Sequence, residues 1–346
     1  MSSEKPFIIV GAGLAGLSVA IRLIEQNQPV IVYDNQENHS SAVAAGMINP
    51  LVFRRMTKSW RVDAFMPMLI SFYKELEMAT GTSFFHPITI RRMFSTEDER
   101  NLWLKKQNLP EFQNYMELTT TEDGNYNGAI NNFGSGRVKQ SAYIETIPFL
   151  SAAKNFVANH AEIRNMSFDY QLISNKSYDG KVFNAVIFCE GYLNPENPFF
   201  NYLPLQQTKG ETLTIKSDSL PKNESINRKC FVLPVGQNAF KIGSTYDWNN
   251  PSLEPTLEGR QTILENLSHL TEEKVEIIDQ QAGIRPTTMD RRPLMGTHPQ
   301  NDDIFIFNGL GAKGYMLAPM LSKEMVDYIL KKAPLDAEVD IKRFKK

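Results

Sequence analysis

The chain opens with four consecutive apolar residues, Phe7–Val10, followed by a glycine-rich stretch and then apolar residues at Leu17, Ala20, Ile21 and Ile24. A short unbroken apolar run bounded by turn formers reads as a strand buried on both faces. The following three-and-four spacing reads as an amphipathic helix. It ends near Gln26–Gln28, where Pro29 breaks it, and Val30–Tyr33 forms a second buried strand closed by Asp34. Strand, helix and strand within about 30 residues predict a right-handed βαβ unit.

Further along, Phe65, Leu69, Phe72, Tyr73 and Leu76 predict a helix over 60–80 stopped by Gly81. The stretch 84–133 mixes short strand-like runs with turn clusters such as Glu122-Asp123-Gly124-Asn125. The pattern predicts a helix over 141–159, a hairpin turning at Asp179-Gly180, and a buried strand over Asn184–Phe188 that ends at Cys189-Glu190-Gly191. Residues 205–250 read as all-β, with strands at Glu211–Ile215, Cys230–Pro234 and Ala239–Gly243. A helix over Leu257–His269, a buried strand over Asp303–Phe307, a glycine-rich junction at 308–314 and a last helix over Tyr315–Lys332 complete the reading.

The elements of nucleotide-binding type fall at the two ends and around 140–200. The expected fold is therefore α/β (α+β overall). A Rossmann-like domain is assembled from 1–59, 141–202 and 284–346, and a second, antiparallel-sheet substrate domain from the insertions 60–140 and 203–283. A chain of 346 residues with 42% apolar content can bury cores of that size.

Composition mostly excludes. The net charge of −2 gives no global attraction to a phosphate backbone, so nucleic acid would need a local basic patch, for which Arg54, Arg55, Lys58 and Arg61 are the candidates. Two distant cysteines, Cys189 and Cys230, fit neither a disulfide framework nor a metal knuckle. The scattered histidines His39, His86, His160, His269 and His298 show no ligand spacing. No apolar stretch is long enough to span a bilayer, and Phe7–Val10 is too short for a signal-peptide core. The expectation is a soluble, cytoplasmic protein without metal.

The run Gly11-Ala12-Gly13-Leu14-Ala15-Gly16 sits where strand passes into helix. Gly11 allows the tight turn, Gly13 lets the backbone approach a pyrophosphate, and Gly16 lets helix and sheet pack closely. The helix N-terminus offers free N–H groups and a positive dipole end to phosphates. Asp34, beside Asn35, is placed to accept from ribose hydroxyls, and its charge disfavours a 2′-phosphate.

Other segments carry a resemblance. Ser41 to Pro50, with Ala44, Ala45, Gly46 and Met47, resembles the small-residue segment of the D-amino-acid oxidase/glycine oxidase superfamily. Gly283-Ile284-Arg285-Pro286 with Asp290, Pro293 and Gly296 resembles that superfamily's G-x-R-P motif and its D-x-x-P-x-x-G continuation. Phe183–Gly191 resembles its strand ending in a small turn. Asn308–Pro319, with Gly309, Gly311, Ala312, Lys313, Gly314 and Tyr315, resembles its closing loop and helix. The matches run in the superfamily's order from 7 to 330.

The resemblance implies FAD as cofactor, with the 41–47 segment passing along the isoalloxazine. Some members of that superfamily attach the flavin to a cysteine near the G-x-R-P region; this chain has none there, so the resemblance implies noncovalent FAD. The implied function is oxidation of a C–N bond of a small amine or amino acid, of the D-amino acid, glycine or sarcosine type, by hydride transfer to flavin N5. O2 or another electron acceptor follows. Arg285 would clamp the substrate carboxylate, since its planar fork matches one bidentately. Lys241 resembles the lysine that sarcosine-oxidase-like members present to the flavin, although a solvent-facing strand lysine fits the same pattern. Lys313, beside the helix N-terminus at Gly314–Tyr315, either stabilises charge on the reduced flavin or is a solvent-facing loop residue. Tyr246 and Tyr315 are pocket candidates.

Two alternatives remain open. The chain is also similar to the oxidase domain of the bifunctional tRNA 5-methylaminomethyl-2-thiouridine enzyme, which implies a tRNA-modifying oxidase acting on carboxymethylaminomethyl-uridine. The other alternative is a flavin-binding protein without turnover.

Overall fold

The computed structural model describes residues 5–37, 40–119, 128–174 and 176–344. The predicted turn cluster 122–125 lies outside the described residues.

Phe7–Val10 is a central strand of a six-stranded sheet whose order is Glu162–Arg164, Val30–Tyr33, Phe7–Val10, Ala185–Phe188, Asn301–Asn308, Leu294–His298. Neighbours are parallel except the last pair, which is antiparallel. The unbroken apolar runs follow from burial on both faces. Phe7, Ile9, Val30, Val32, Ala185, Ile187, Phe305 and Phe307 feed the core on one side. Ile8, Val10, Tyr33, Val186, Phe188, Ile304 and Ile306 feed the core on the other.

Helices Leu14–Glu25, Thr146–His160 and Gly314–Lys331 cover the first side, and helix Val62–Thr80 packs on the latter two. A three-stranded antiparallel sheet of Ile173–Ser174, Ser177–Tyr178 and Lys181–Val182 covers the other, with a turn at Asp179 and Gly180, both with positive φ.

The second large sheet has seven strands in the order Glu276–Thr288, Leu205–Lys216, Ala239–Gly243, Cys230–Pro234, Glu224–Arg228, Thr89–Met93, Ser135–Val138. It is antiparallel except where Glu224–Arg228 meets Thr89–Met93. Helix Leu257–Ser268 packs on it over a third core.

Several predicted elements change. The helix expected over 141–159 begins only at Thr146, because Ala142–Ile144 is a strand paired with Met47–Ile48 and Phe85–Pro87. The strand seen as Glu211–Ile215 runs from Leu205 to Lys216. Its partner Glu276–Thr288 was not predicted as a strand; it lacks a clean alternation and crosses the expected boundary at 283/284. Helix Val62–Thr80, expected with the insertions, has its apolar face in the first core.

Gly16 explains why the βαβ unit closes tightly. A Cβ there would sit 1.8 Å from the Gly11 carbonyl oxygen and 3.2 Å from the Ile9 side chain. Gly180, by contrast, has open space around it. Gly16→Ala should therefore destabilise the fold by at least about 2 kcal/mol, whereas Gly180→Ala should cost about 1 kcal/mol from its backbone conformation. Urea unfolding midpoints of the two variants check this; equal midpoints would contradict it.

Candidate active site

Two clefts meet at the glycine-rich loop. The larger, about 310 Å³, is lined by Gly13–Ala15, the segment from Ser40 to Asn49, the edge of the seven-stranded sheet at Gly210, Thr212, Phe231, Ser244, Tyr246, Gly283 and Arg285, and the junction Leu310–Met316. The smaller, about 210 Å³, is lined by Gly11–Gly13, Asp34, Asn35, Glu37, Tyr170, Glu190 and Glu196. Gly13 and Cys189 border both. Gly13 is also the N-cap of helix Leu14–Glu25 and carries no side-chain cap. A helix N-terminus thus stands where the clefts join, as an anion between two larger groups requires.

Most predicted site residues assemble here. Leu14, Ala15, Ser41, Ala44, Ala45, Gly46, Met47, Gly191, Gly311, Ala312, Lys313, Gly314 and Tyr315 all line the larger cleft, while Gly11, Asp34 and Asn35 line the smaller. Two do not. Gly16 packs under the loop, and Gly309, with φ +73°, is a turn residue against Leu294 and Thr288. Asp34 accepts from the Ala12 N–H at 3.2 Å and pairs with Lys154 at 3.3 Å, so it anchors the loop as well as facing the cleft.

The 40–49 segment is held from several sides. Ser41 Oγ accepts from the Leu14 N–H at 3.1 Å. Gly46 has φ +67°, and a Cβ there would lie 2.0 Å from the Ile144 carbonyl oxygen. The Tyr315 hydroxyl donates to the Ser41 carbonyl at 2.8 Å. That spends its proton on the backbone, so the residue expected to meet substrate props up the cleft wall.

The two lysines do likewise. Lys241 Nζ donates to the carbonyls of Val43 at 2.7 Å and Ala44 at 3.3 Å. Lys313 Nζ donates to the Asn49 carbonyl at 3.1 Å and to Ser59 Oγ. Both are half-buried, with their amines turned to backbone carbonyls; burial pushes both ammonium groups down to about 8, with Asp279 partly opposing this for Lys241.

Arg285 lies on strand Glu276–Thr288 and points at the cleft edge. It donates to Ser244 Oγ at 2.8 Å and to the Thr245 carbonyl at 3.2 Å, and lies 4.5 Å from the centroid of the Tyr246 ring. Burial lowers its pKa. Among the described residues no carboxylate pairs with it. Of a guanidinium's five N–H groups, the two protein acceptors engage two, leaving three for a ligand.

Gly283 and Asn308, quoted above only within motifs, also line the larger cleft; Gly210, Ser244 and Phe231 on that cleft and Glu190 on the smaller were not singled out as site residues. A glycine between Lys209 and Glu211 inside a strand was the one available signal, since glycine in a strand marks a close approach. Glu190 is buried, and desolvation raises its carboxyl to about 7 despite hydrogen bonds from Asn197 and Tyr170.

Of the basic cluster proposed for RNA, Arg61 pairs with Glu324 and Asp336 and Lys58 with Asp63, while Arg54 and Arg55 are exposed. Among the described residues, no helix is long and apolar enough to cross a membrane.

A parallel sheet carrying a glycine-rich turn, a helix N-terminus between a large and a small cleft, and a second sheet bringing a cation to the larger one define a dinucleotide-dependent oxidoreductase. The chain belongs to the DAO family of FAD-dependent oxidoreductases, whose pattern matches residues 7–328.

A bifunctional tRNA 5-methylaminomethyl-2-thiouridine biosynthesis protein of Marinobacter nauticus is 24% identical over 94% of this chain, which spans 55% of that protein's length. Glycine oxidase of Bacillus subtilis is 23% identical, covering 96% of this chain and 95% of its own. Among solved structures, glycine oxidase from Geobacillus kaustophilus superposes with a TM-score of 0.80 at 18% identity over 99% of this chain and 100% of its own. Iminodiacetate oxidase from Chelativorans sp. BNC1 gives 0.78 at 16% identity over 96% and 98%.

The clefts fit the family's cofactor. The glycine-rich loop and the N-terminus of helix Leu14–Glu25 suit the pyrophosphate, Asp34 and Asn35 the ribose, and the small-residue wall 41–47 a flat ring system.

A pH signature follows from Lys313. Its pKa is about 8 folded against an ordinary 10.5. Between these values the unfolded chain binds more protons, so this residue makes stability rise with pH across that window. In urea unfolding, the wild type should gain on Lys313→Met between pH 8 and pH 10; a constant difference would contradict the desolvated cation.

Proposed function

We propose that this protein oxidises a C–N bond of a small amine or amino acid that carries a carboxylate, of the D-amino acid, glycine or sarcosine type, using noncovalently held FAD. The observation that carries this reading is Arg285, a half-buried guanidinium at the cleft with no carboxylate partner among the described residues and three N–H groups that no protein acceptor takes. Partial burial weakens the hydration of such a cation. A ligand carboxylate restores the lost interaction, and the planar fork fixes its orientation.

Bound in this site, FAD supplies the acceptor for a hydride from the carbon beside the substrate nitrogen. The chain's residues orient the reactants. Arg285 holds one end of the substrate, Ser244 and Thr245 hold Arg285, and Tyr315, Lys241 and Lys313 fix the wall that faces the ring system. A neutral amine needs no base for hydride transfer, and none is assigned. Noncovalent attachment is supported by the cysteines: Cys230 is in the core of the second sheet, and Cys189, although it borders both clefts, is buried with its thiol pKa pushed well up, which keeps it from being the thiolate a covalent link needs.

The test is anaerobic bleaching of the purified yellow protein with glycine, sarcosine, D-amino acids, proline and tRNA bearing carboxymethylaminomethyl-uridine. A free amino acid should bleach the flavin, and Arg285→Ala should lower kcat/KM by about 100-fold or more, the loss of a charge-assisted pair. Bleaching by tRNA alone, or an unchanged Arg285→Ala, would overturn the reading. Bleaching by nothing in the panel would favour a flavin-binding protein without turnover.

A further inference from the structure

We propose that Tyr246 and Gly210 are positioning residues for Arg285: the Tyr246 ring and the bare Cα of Gly210 seat the guanidinium by its faces so that its N–H edge alone meets the ligand. The proposal rests on the carboxylate-clamp reading above and adds to it what sets the angle of the clamp.

The guanidinium has two direct protein acceptors, Ser244 Oγ and the Thr245 carbonyl, and these leave its plane free to rock. Two further contacts restrain it. The Tyr246 ring centroid lies 4.5 Å from the guanidinium carbon. A Cβ on Gly210 would lie 2.1 Å from both terminal nitrogens and 2.2 Å from the carbon. Near-equal distances to three atoms of one planar group put that Cβ position out of the plane, so Gly210 borders a face of the cation. A guanidinium face makes no hydrogen bonds, so covering it with a ring or a bare backbone sacrifices no donor and leaves the edges for acceptors.

Tyr246 is 57% exposed, yet its backbone is fixed on both sides. Thr245 Oγ1 accepts from the Glu211 N–H at 2.8 Å, and Asp247 and Lys209 exchange backbone hydrogen bonds at 2.8 and 3.0 Å. An exposed ring on a fixed backbone, laid against a half-buried cation, is thus a built contact. Its hydroxyl has no part in it, and no hydrogen bond from that hydroxyl occurs among the described residues. A lysine could not use this seat, since its compact ammonium has neither faces nor fork.

The experiment measures acetate affinity by calorimetry on the FAD-loaded protein. Wild type should bind saturably and Arg285→Ala should not; absent or equal binding would remove the carboxylate clamp itself. With the clamp intact, Tyr246→Leu should weaken acetate binding about tenfold or more, while Tyr246→Phe and Tyr246→Trp stay within about threefold of wild type. Gly210→Ala should weaken it at least as much, because the guanidinium must leave its seat.

FAD content and melting temperature are recorded for each variant. If Tyr246→Leu fails to fold or load, Gly210→Ala alone decides. Wild-type affinity in Tyr246→Leu or in Gly210→Ala overturns the proposal. So does a Tyr246→Phe as weak as Tyr246→Leu, which would assign the contact to the hydroxyl.

Discussion

A guanidinium half-withdrawn from water with no carboxylate to meet it keeps its charge available to an incoming anion. Arg285 is held in that state by neutral groups: a hydroxyl, a carbonyl, an aromatic face and a glycine. Each fixes the cation without discharging it. An acidic side chain in any of these places would make the fold easier to stabilise and would close the site to an anion. The seven-stranded sheet is arranged around this constraint, since it brings Gly210, Ser244 and Arg285 together from three strands or strand ends.

The same logic extends to the wall of the larger cleft. Lys241 comes from the second sheet and Lys313 from the junction after the first, and each gives its ammonium to carbonyls of one segment between 43 and 49. The two halves of the molecule are therefore joined through the strip that lines the cofactor cleft. Both cations lie in low-dielectric surroundings close to the cleft, where their field on an anionic ligand is less screened than at a surface.

The sequence made the nucleotide-binding half legible because its rules are local. Buried parallel strands leave unbroken apolar runs, and the turn after Phe7–Val10 needs glycine where backbone approaches backbone. Arg285 and the cleft-lining glycines were found through motifs that resemble a family. The second sheet was harder to read. Glu276–Thr288 and Leu205–Lys216 pair over a long register with a bulge at Thr214/Ile215, yet neither alternates cleanly between buried and exposed positions. Side-chain roles were harder still. The chain order does not tell that the hydroxyl of Tyr315 reaches Ser41, or that the amines of Lys241 and Lys313 reach backbone carbonyls; these depend on packing between segments some 200 or more positions apart.

The most direct test of the central claim is a crystal structure of the FAD-loaded protein soaked in acetate. The account predicts a carboxylate in the plane of the Arg285 guanidinium, on its free edge, with the contacts to Ser244, Thr245 and Tyr246 unchanged. An Arg285 rotated onto an acidic side chain of its own chain, with acetate bound elsewhere or absent from the cleft, would contradict it.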